Sequence, residues 1–205
     1  MLDILVSALL QSASVSACTP PEGYGSVSEH MAAIQEGDQG DRRQGGWDHE
    51  RQARDEQRKA DVAAYVEGDC LQTGDDFVTA ALVMQHSRTS EAYMTAWRLA
   101  VRAHELGHER GLWLIPRAID RYLISEGYKQ LYATNLKGSR EGPDAPIVMC
   151  LWPVVDEITD EQRIAMGVRT VEQQLQLAAE RGNGEGHFCD VDAADPPRGL
   201  FPGYW

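Results

Sequence analysis

His104-Glu105-Leu106-Gly107-His108 spells H-E-x-x-H. The chemistry of that pattern is specific. Two histidines four residues apart share one face of a helix and can bind a single Zn²⁺, and the glutamate acts as general base on the metal-bound water. Gly111 falls where the extended pattern places a glycine, but Leu114 stands where that extension needs a third histidine. A third ligand from further along would have to be Glu126. The flanks are charged at Arg102, Glu109 and Arg110, whereas zinc-protease helices are buried and flanked by uncharged residues. The alternative is an exposed helical turn that carries two histidines and a glutamate. No cofactor is favoured on this reading, and zinc on His104, His108 and Glu126 is the competing one.

The rest of the chain restricts the remaining chemistry. It has 205 residues, which suits one domain with a single core, and a net charge of −13. Lysines and arginines are interleaved with acids, as in Glu50-Arg51 and Arg54-Asp55-Glu56, so no basic stripe can follow a phosphate backbone. Nucleic acid is excluded as a partner, and so is an anionic membrane surface. A nucleophile elbow, a phosphate-cradling glycine loop and a dinucleotide fingerprint are all missing from the sequence. An unknown small molecule or a protein is the partner that remains.

At the N-terminus, residues 2–10 are apolar apart from Asp3 and Ser7, and Val15-Ser16-Ala17-Cys18 follows. Small residues at 15 and 17 suit cleavage after Ala17, or a lipobox with Cys18 as the lipidated first residue. The stretch is too short for a transmembrane segment. These features point to an exported protein, periplasmic or lipid-anchored; the competing reading is a cytoplasmic protein with an apolar N-terminal helix. No pair among Cys18, Cys70, Cys150 and Cys189 has C-x-x-C spacing. Export would allow one disulfide among the last three, with one thiol left over.

Elements follow from periodicity and punctuation. Residues 1–28 read as a signal peptide and linker, 29–182 as a helical domain and 183–205 as a loose tail. Residues 51–66 form a surface helix with Ala60, Ala63, Ala64 and Val66 turned inward and Trp47 as an apolar anchor before it. Asp75 or Asp76 caps a helix whose Phe77, Ala80, Ala81 and Met84 make a buried stripe. A second stripe over Ala92, Ala96, Leu99, Ala103 and Leu106 completes an antiparallel hairpin. A run rich in apolar residues over 146–155 reads as a strand pairing with 130–136, and Thr159-Asp160-Glu161-Gln162 as a capping box. The fold class is mainly α: antiparallel helical hairpins packed as an irregular bundle, with a small β-ribbon near 130–155.

Four segments carry a further signal: Ala80-Ala81-Leu82-Val83-Met84-Gln85-His86, Asp120-Arg121-Tyr122-Leu123, Gly127-Tyr128-Lys129-Gln130-Leu131-Tyr132-Ala133-Thr134, and Ile158-Thr159-Asp160-Glu161-Gln162-Arg163. In this order and spacing they resemble a widespread bacterial family of unknown function, over about residues 38–180. Ala133 stands where that family usually has glycine, so a left-handed position there would be strained. The resemblance implies that Gln85, His86, Asp120, Arg121, Gln130, Tyr132 and Thr134 could converge on one polar pocket. Histidine would then act as acid or base, and arginine would bind a carboxylate or phosphate. The alternative is architectural: Asp120 and Arg121 would hold helix ends and the loop at Gln130. Two functions therefore stand side by side, a binding or scaffold module and a small hydrolase centred on His86 or on zinc.

Overall fold

The computed structural model describes residues 18–45, 48–140, 142, 145–182 and 184–204. The leader reading of residues 1–17 and the Trp47 anchor lie outside the described residues. The protein is mainly helical with one small antiparallel ribbon, as its sequence pattern predicts. Its elements are α1 (Val27–Gln44), α2 (His49–Glu67), α3 (Gly74–Gln85), α4 (Ser90–Glu105), α5 (Glu109–Ser125), β1 (Leu136–Ser139), β2 (Val148–Leu151), α6 (Asp160–Ala165) and α7 (Val171–Arg181). They group into two compact units. One runs up to Ser87 and includes Leu99–Gly111; the other holds Arg88–Arg98 and the chain from Leu112 onward.

Three helix starts in the first unit have a side-chain acceptor. Ser26 receives the Glu29 N–H, Asp48 the Arg51 N–H and Thr73 the Asp76 N–H. Such caps contribute about 1 kcal/mol each by satisfying orphan donors. Asp76 is not the cap itself. It completes a capping box with Thr73, and its carboxylate also takes the Ser28 hydroxyl. Helix α3 is buried almost all round rather than along one stripe, with Ala80 and Ala81 fully inaccessible. It packs on α1 and α2 through Met31, Ile34, Val62 and Tyr65.

The inward face of α2 corrects the sequence reading. Ala60 and Ala64 are exposed, and Arg51, Asp55, Arg58, Val62 and Tyr65 face inward. Periodicity counts apolar residues only, so it missed charges that reach the interior in pairs. Arg58 bonds both Asp55 and Asp41, while Arg42 bridges Asp38 and Asp55 at 3.2 Å each. Gly37 allows this approach: a β-carbon there would stand 3.2 Å from an Arg58 guanidinium nitrogen.

In the second unit α5 carries the core, with Leu114, Ile115, Ala118, Ile119 and Leu123 inaccessible to solvent. The ribbon pairs Leu136 with Leu151 and Ser139 with Val148. The strand expected over 146–155 is thus present in part. Its ladder partner lies further along than 130–136, with Gln130 making only an isolated bridge to Val154. Residues expected as a loose tail pack instead: Phe201 is fully buried, edge-on to Trp97 and Tyr122.

Both disulfides lie within units, Cys18–Cys70 in the first and Cys150–Cys189 in the second, and none of the four cysteines is free. This overturns the expectation of a leftover thiol. Among the described residues no helix is long and apolar enough to cross a membrane.

Candidate anion-binding site

The H-E-x-x-H residues do not share a helix face. Helix α4 ends at Glu105, Gly107 takes a left-handed φ of 80°, and α5 begins at Glu109. His104 is exposed, while His108 turns its Nε2 to the Asp75 carboxylate at 3.0 Å. Glu126 is an exposed residue of the second unit. Gly111, which the extended motif assigns to the metal site, has a packing role. A β-carbon there would run into the His104 and Ala100 backbone, so only glycine fits. Among the described residues no cluster of three histidine, cysteine or acidic side chains has metal-binding geometry.

Gln85 and His86 belong to the first unit. His86 Nδ1 lies 3.0 Å from Asp38 Oδ1, in the same network that holds Arg42 to Asp38. Burial raises the Asp38 carboxyl, but His86 and Arg42 outweigh it and hold the group below its usual range. An Asp–His pair is half of a nucleophile-activating triad. Here its carboxylate is also tied to arginine between two helices, an arrangement that serves packing.

Asp120, Gln130 and Thr134 are brought together, in the second unit. Asp120 is completely buried. Its Oδ1 accepts the Leu131 and Tyr132 N–H groups at 2.8 and 3.0 Å, and its Oδ2 accepts the N–H and hydroxyl of Thr134 at 2.9 and 2.8 Å. Burial pushes this carboxyl up to about 6, against the four donors that pull it down. The loop it holds contains Ala133 at φ 59°, a left-handed backbone conformation. Gln130 locks the same loop by accepting the Asn135 N–H and donating to the carbonyls of Asn135 and Trp152. Tyr132 donates its hydroxyl to the Tyr204 carbonyl, and burial raises its pKa. These residues hold a loop in shape and line no common reaction centre.

Arg121 parts company with its neighbour. Successive helical residues point about 100° apart, so an Asp120 turned into the core turns Arg121 toward a cleft of about 460 Å³. Arg88 and Lys137 also line this cleft. Its apolar wall comes from Tyr93, Ile124, Leu136 and the ring of Trp152, with Asn135 at the base. Trp152 is fixed by its indole N–H on the Tyr128 carbonyl at 3.0 Å, and Lys137 Nζ sits 5.6 Å from its ring centre. Asn135 is held on both sides, by Gln130 and by its own amide on Thr134. The buried loop network therefore positions one wall of the cleft.

Sequence reasoning missed Arg88, Lys137, Tyr93 and Trp152. Arg88 is the one with a structural signature: it adopts φ 60°, a conformation that costs a non-glycine residue about 1–2 kcal/mol and that concentrates at functional sites. Comparison with known proteins finds no matching family model, curated protein or solved structure.

Proposed function

We propose that this chain is a binding module whose second unit takes the anionic group of a ligand with an apolar body. The observation that carries the reading is the lining of the cleft: Arg88, Arg121 and Lys137 share it with the apolar Tyr93, Ile124, Leu136 and Trp152, in a chain of net charge −13. A carboxylate seated in this cleft would accept charge-assisted hydrogen bonds from these cations. Tyr93, Ile124 and Trp152 offer the apolar body a surface on which burial is favourable. In this reading Asp120, Gln130 and Thr134 are positioning residues.

Two further statements belong to the same proposal. Export is supported by two disulfides, which persist in oxidising compartments. Membership of the uncharacterised bacterial family rests on the order and spacing of its motif residues Asp120, Gln130 and Thr134 in the sequence.

The test is calorimetric titration with N-acetyl-leucine, a carboxylate on an apolar body, beside its uncharged amide. The acid should bind and the amide should lose at least about tenfold in affinity, or about 1.4 kcal/mol. Lys137→Glu, on an exposed residue, should abolish binding of the acid. Equal affinity for acid and amide would remove the anion from the reading.

A further inference from the structure

Helix α5 carries Trp113 and Arg117 one turn apart, on the same face. Trp113 is 42 % exposed. The Arg117 guanidinium carbon stands 3.7 Å from the centre of its ring, and Arg117 Nη1 donates to the Trp113 carbonyl. This stack holds the indole in one orientation, so a partner has little side-chain freedom left to freeze. Arg117 is itself partly buried, and the Trp113 carbonyl takes only one of its N–H donors. Burial pushes its guanidinium down to about 10; Asp120 opposes that, and Arg169 and Arg121 add to it. Asp120 attracts Arg117 without bonding it, because its oxygens are taken by the Leu131, Tyr132 and Thr134 donors. Arg169 is exposed on the turn between α6 and α7, near enough to repel Arg117. Among the described residues no carboxylate pairs with Arg117 or Arg169, whereas Arg42, Arg54, Arg58, Arg102 and Arg163 each hold one.

We infer that Trp113, Arg117 and Arg169 form a docking surface for an acidic segment of a partner protein, whose carboxylates take the two guanidinium groups and whose apolar side chain lies on the indole. Charge complementarity selects the occupant. A chain of net charge −13 repels an acidic segment over most of its surface, so two neighbouring arginines without carboxylates fix where such a segment lands. The guanidinium fork matches a carboxylate with two parallel hydrogen bonds, and these strengthen when water is excluded around a partly buried Arg117. Tryptophan and arginine are also the side chains in which interface binding energy concentrates. Two cations and an indole together call for two carboxylates and an apolar side chain, which one acidic segment supplies and a small anion does not. This surface uses neither Arg88 nor Lys137, and it stands or falls apart from the anion-binding cleft.

The experiment titrates the full, isotope-labelled chain with acetyl-Glu-Glu-Leu-Glu-Glu-Leu-amide and with its glutamine counterpart, acetyl-Gln-Gln-Leu-Gln-Gln-Leu-amide. The acidic peptide should shift the Trp113 indole signal and bind at least about tenfold more tightly than the glutamine peptide. Its affinity should fall as salt is raised, because exposed charges are screened. Arg169→Glu, at an exposed position outside the core, should weaken it by about tenfold or more, and so should Arg117→Gln. Equal affinity for the two peptides would remove the carboxylates from the inference. A Trp113 response that survives Arg169→Glu, or no binding of the acidic peptide, would overturn the surface. A response at Trp152 in place of Trp113 would also overturn it, while leaving the cleft reading intact. Self-association of the chain that Arg169→Glu abolishes would assign the surface to a second copy and overturn the acidic partner.

Discussion

Replacing Asp120 with alanine removes one carboxylate and leaves three backbone N–H groups and the Thr134 hydroxyl without their acceptor. An unsatisfied buried donor costs about 1–3 kcal/mol, so the four together cost about 6 kcal/mol, with Thr134 only part-buried. Against this, the variant no longer buries a charge. A carboxyl raised from 3.8 to about 6 corresponds to about 3 kcal/mol of penalty on the ionised form. The net loss at pH 7 is about 3 kcal/mol, a large share of a typical domain's stability, and lowers Tm by about 6–12 °C. The sign with pH follows from the raised value. Protonation of Asp120 favours the folded state, so that contribution is present in full below the unfolded value and is lost as pH rises through about 6. Wild type should lose stability between pH 4 and 7 at this site, and the alanine variant should not. The gap between them should therefore narrow by about 3 kcal/mol over that range. Urea denaturation at both pH values measures it. A gap below about 1 kcal/mol at pH 7, or one that widens with pH, would refute the assignment of Asp120 as the acceptor that holds the 130–135 loop.

Three further outcomes are expected. At Ala133, φ 59° and full burial oppose each other: glycine relieves about 1–2 kcal/mol of strain but loses a packed methyl and loosens the unfolded chain, so Ala133→Gly should be nearly neutral by calorimetry. Ala133→Val, branched at a left-handed position, should cost more than about 2 kcal/mol, and a stable valine variant would contradict the backbone assignment. Cys150→Ser with Cys189→Ser opens a loop of separation 39, for which chain entropy predicts about 4 kcal/mol of lost stability; alkylation and mass spectrometry of the unreduced wild type should find no free thiol. Hydrogen bonds from Arg54 and Arg58 hold the Asp41 carboxyl at about 2. Its contribution is present above the ordinary value and is lost as pH falls toward 2, so Asp41→Asn should flatten acid unfolding between pH 4 and 2.

The helices were legible because their signals are local. Thr159-Asp160-Glu161-Gln162 forms the capping box that its spacing predicts, and the 146–155 run contains β2. What failed depended on partners far along the chain. A helix face is assigned inward by its apolar residues, yet α2 turns Asp55 and Arg58 inward because Arg42 and Asp41 meet them from α1. The tail composition reads as loose until Phe201 meets Trp97 and Tyr122. At the candidate site the motif residues Asp120, Gln130 and Thr134 were visible, but they support the site from behind. Arg88 and Lys137, which face a ligand, sit in no motif, and only the folded chain puts them beside Arg121 and Trp152.

The most direct measurement of the central claim is a titration of isotope-labelled protein with N-acetyl-leucine, followed through the Trp152 indole N–H. That group is anchored on the Tyr128 carbonyl at the edge of the cleft and reports on it alone. The account predicts a saturable shift of this signal and of the Asn135 amide, with both lost in Arg121→Gln while the remaining spectrum stays that of the folded wild type. Shifts confined to other residues, or a Trp152 response that survives Arg121→Gln and Lys137→Glu, would contradict an anion site in this cleft.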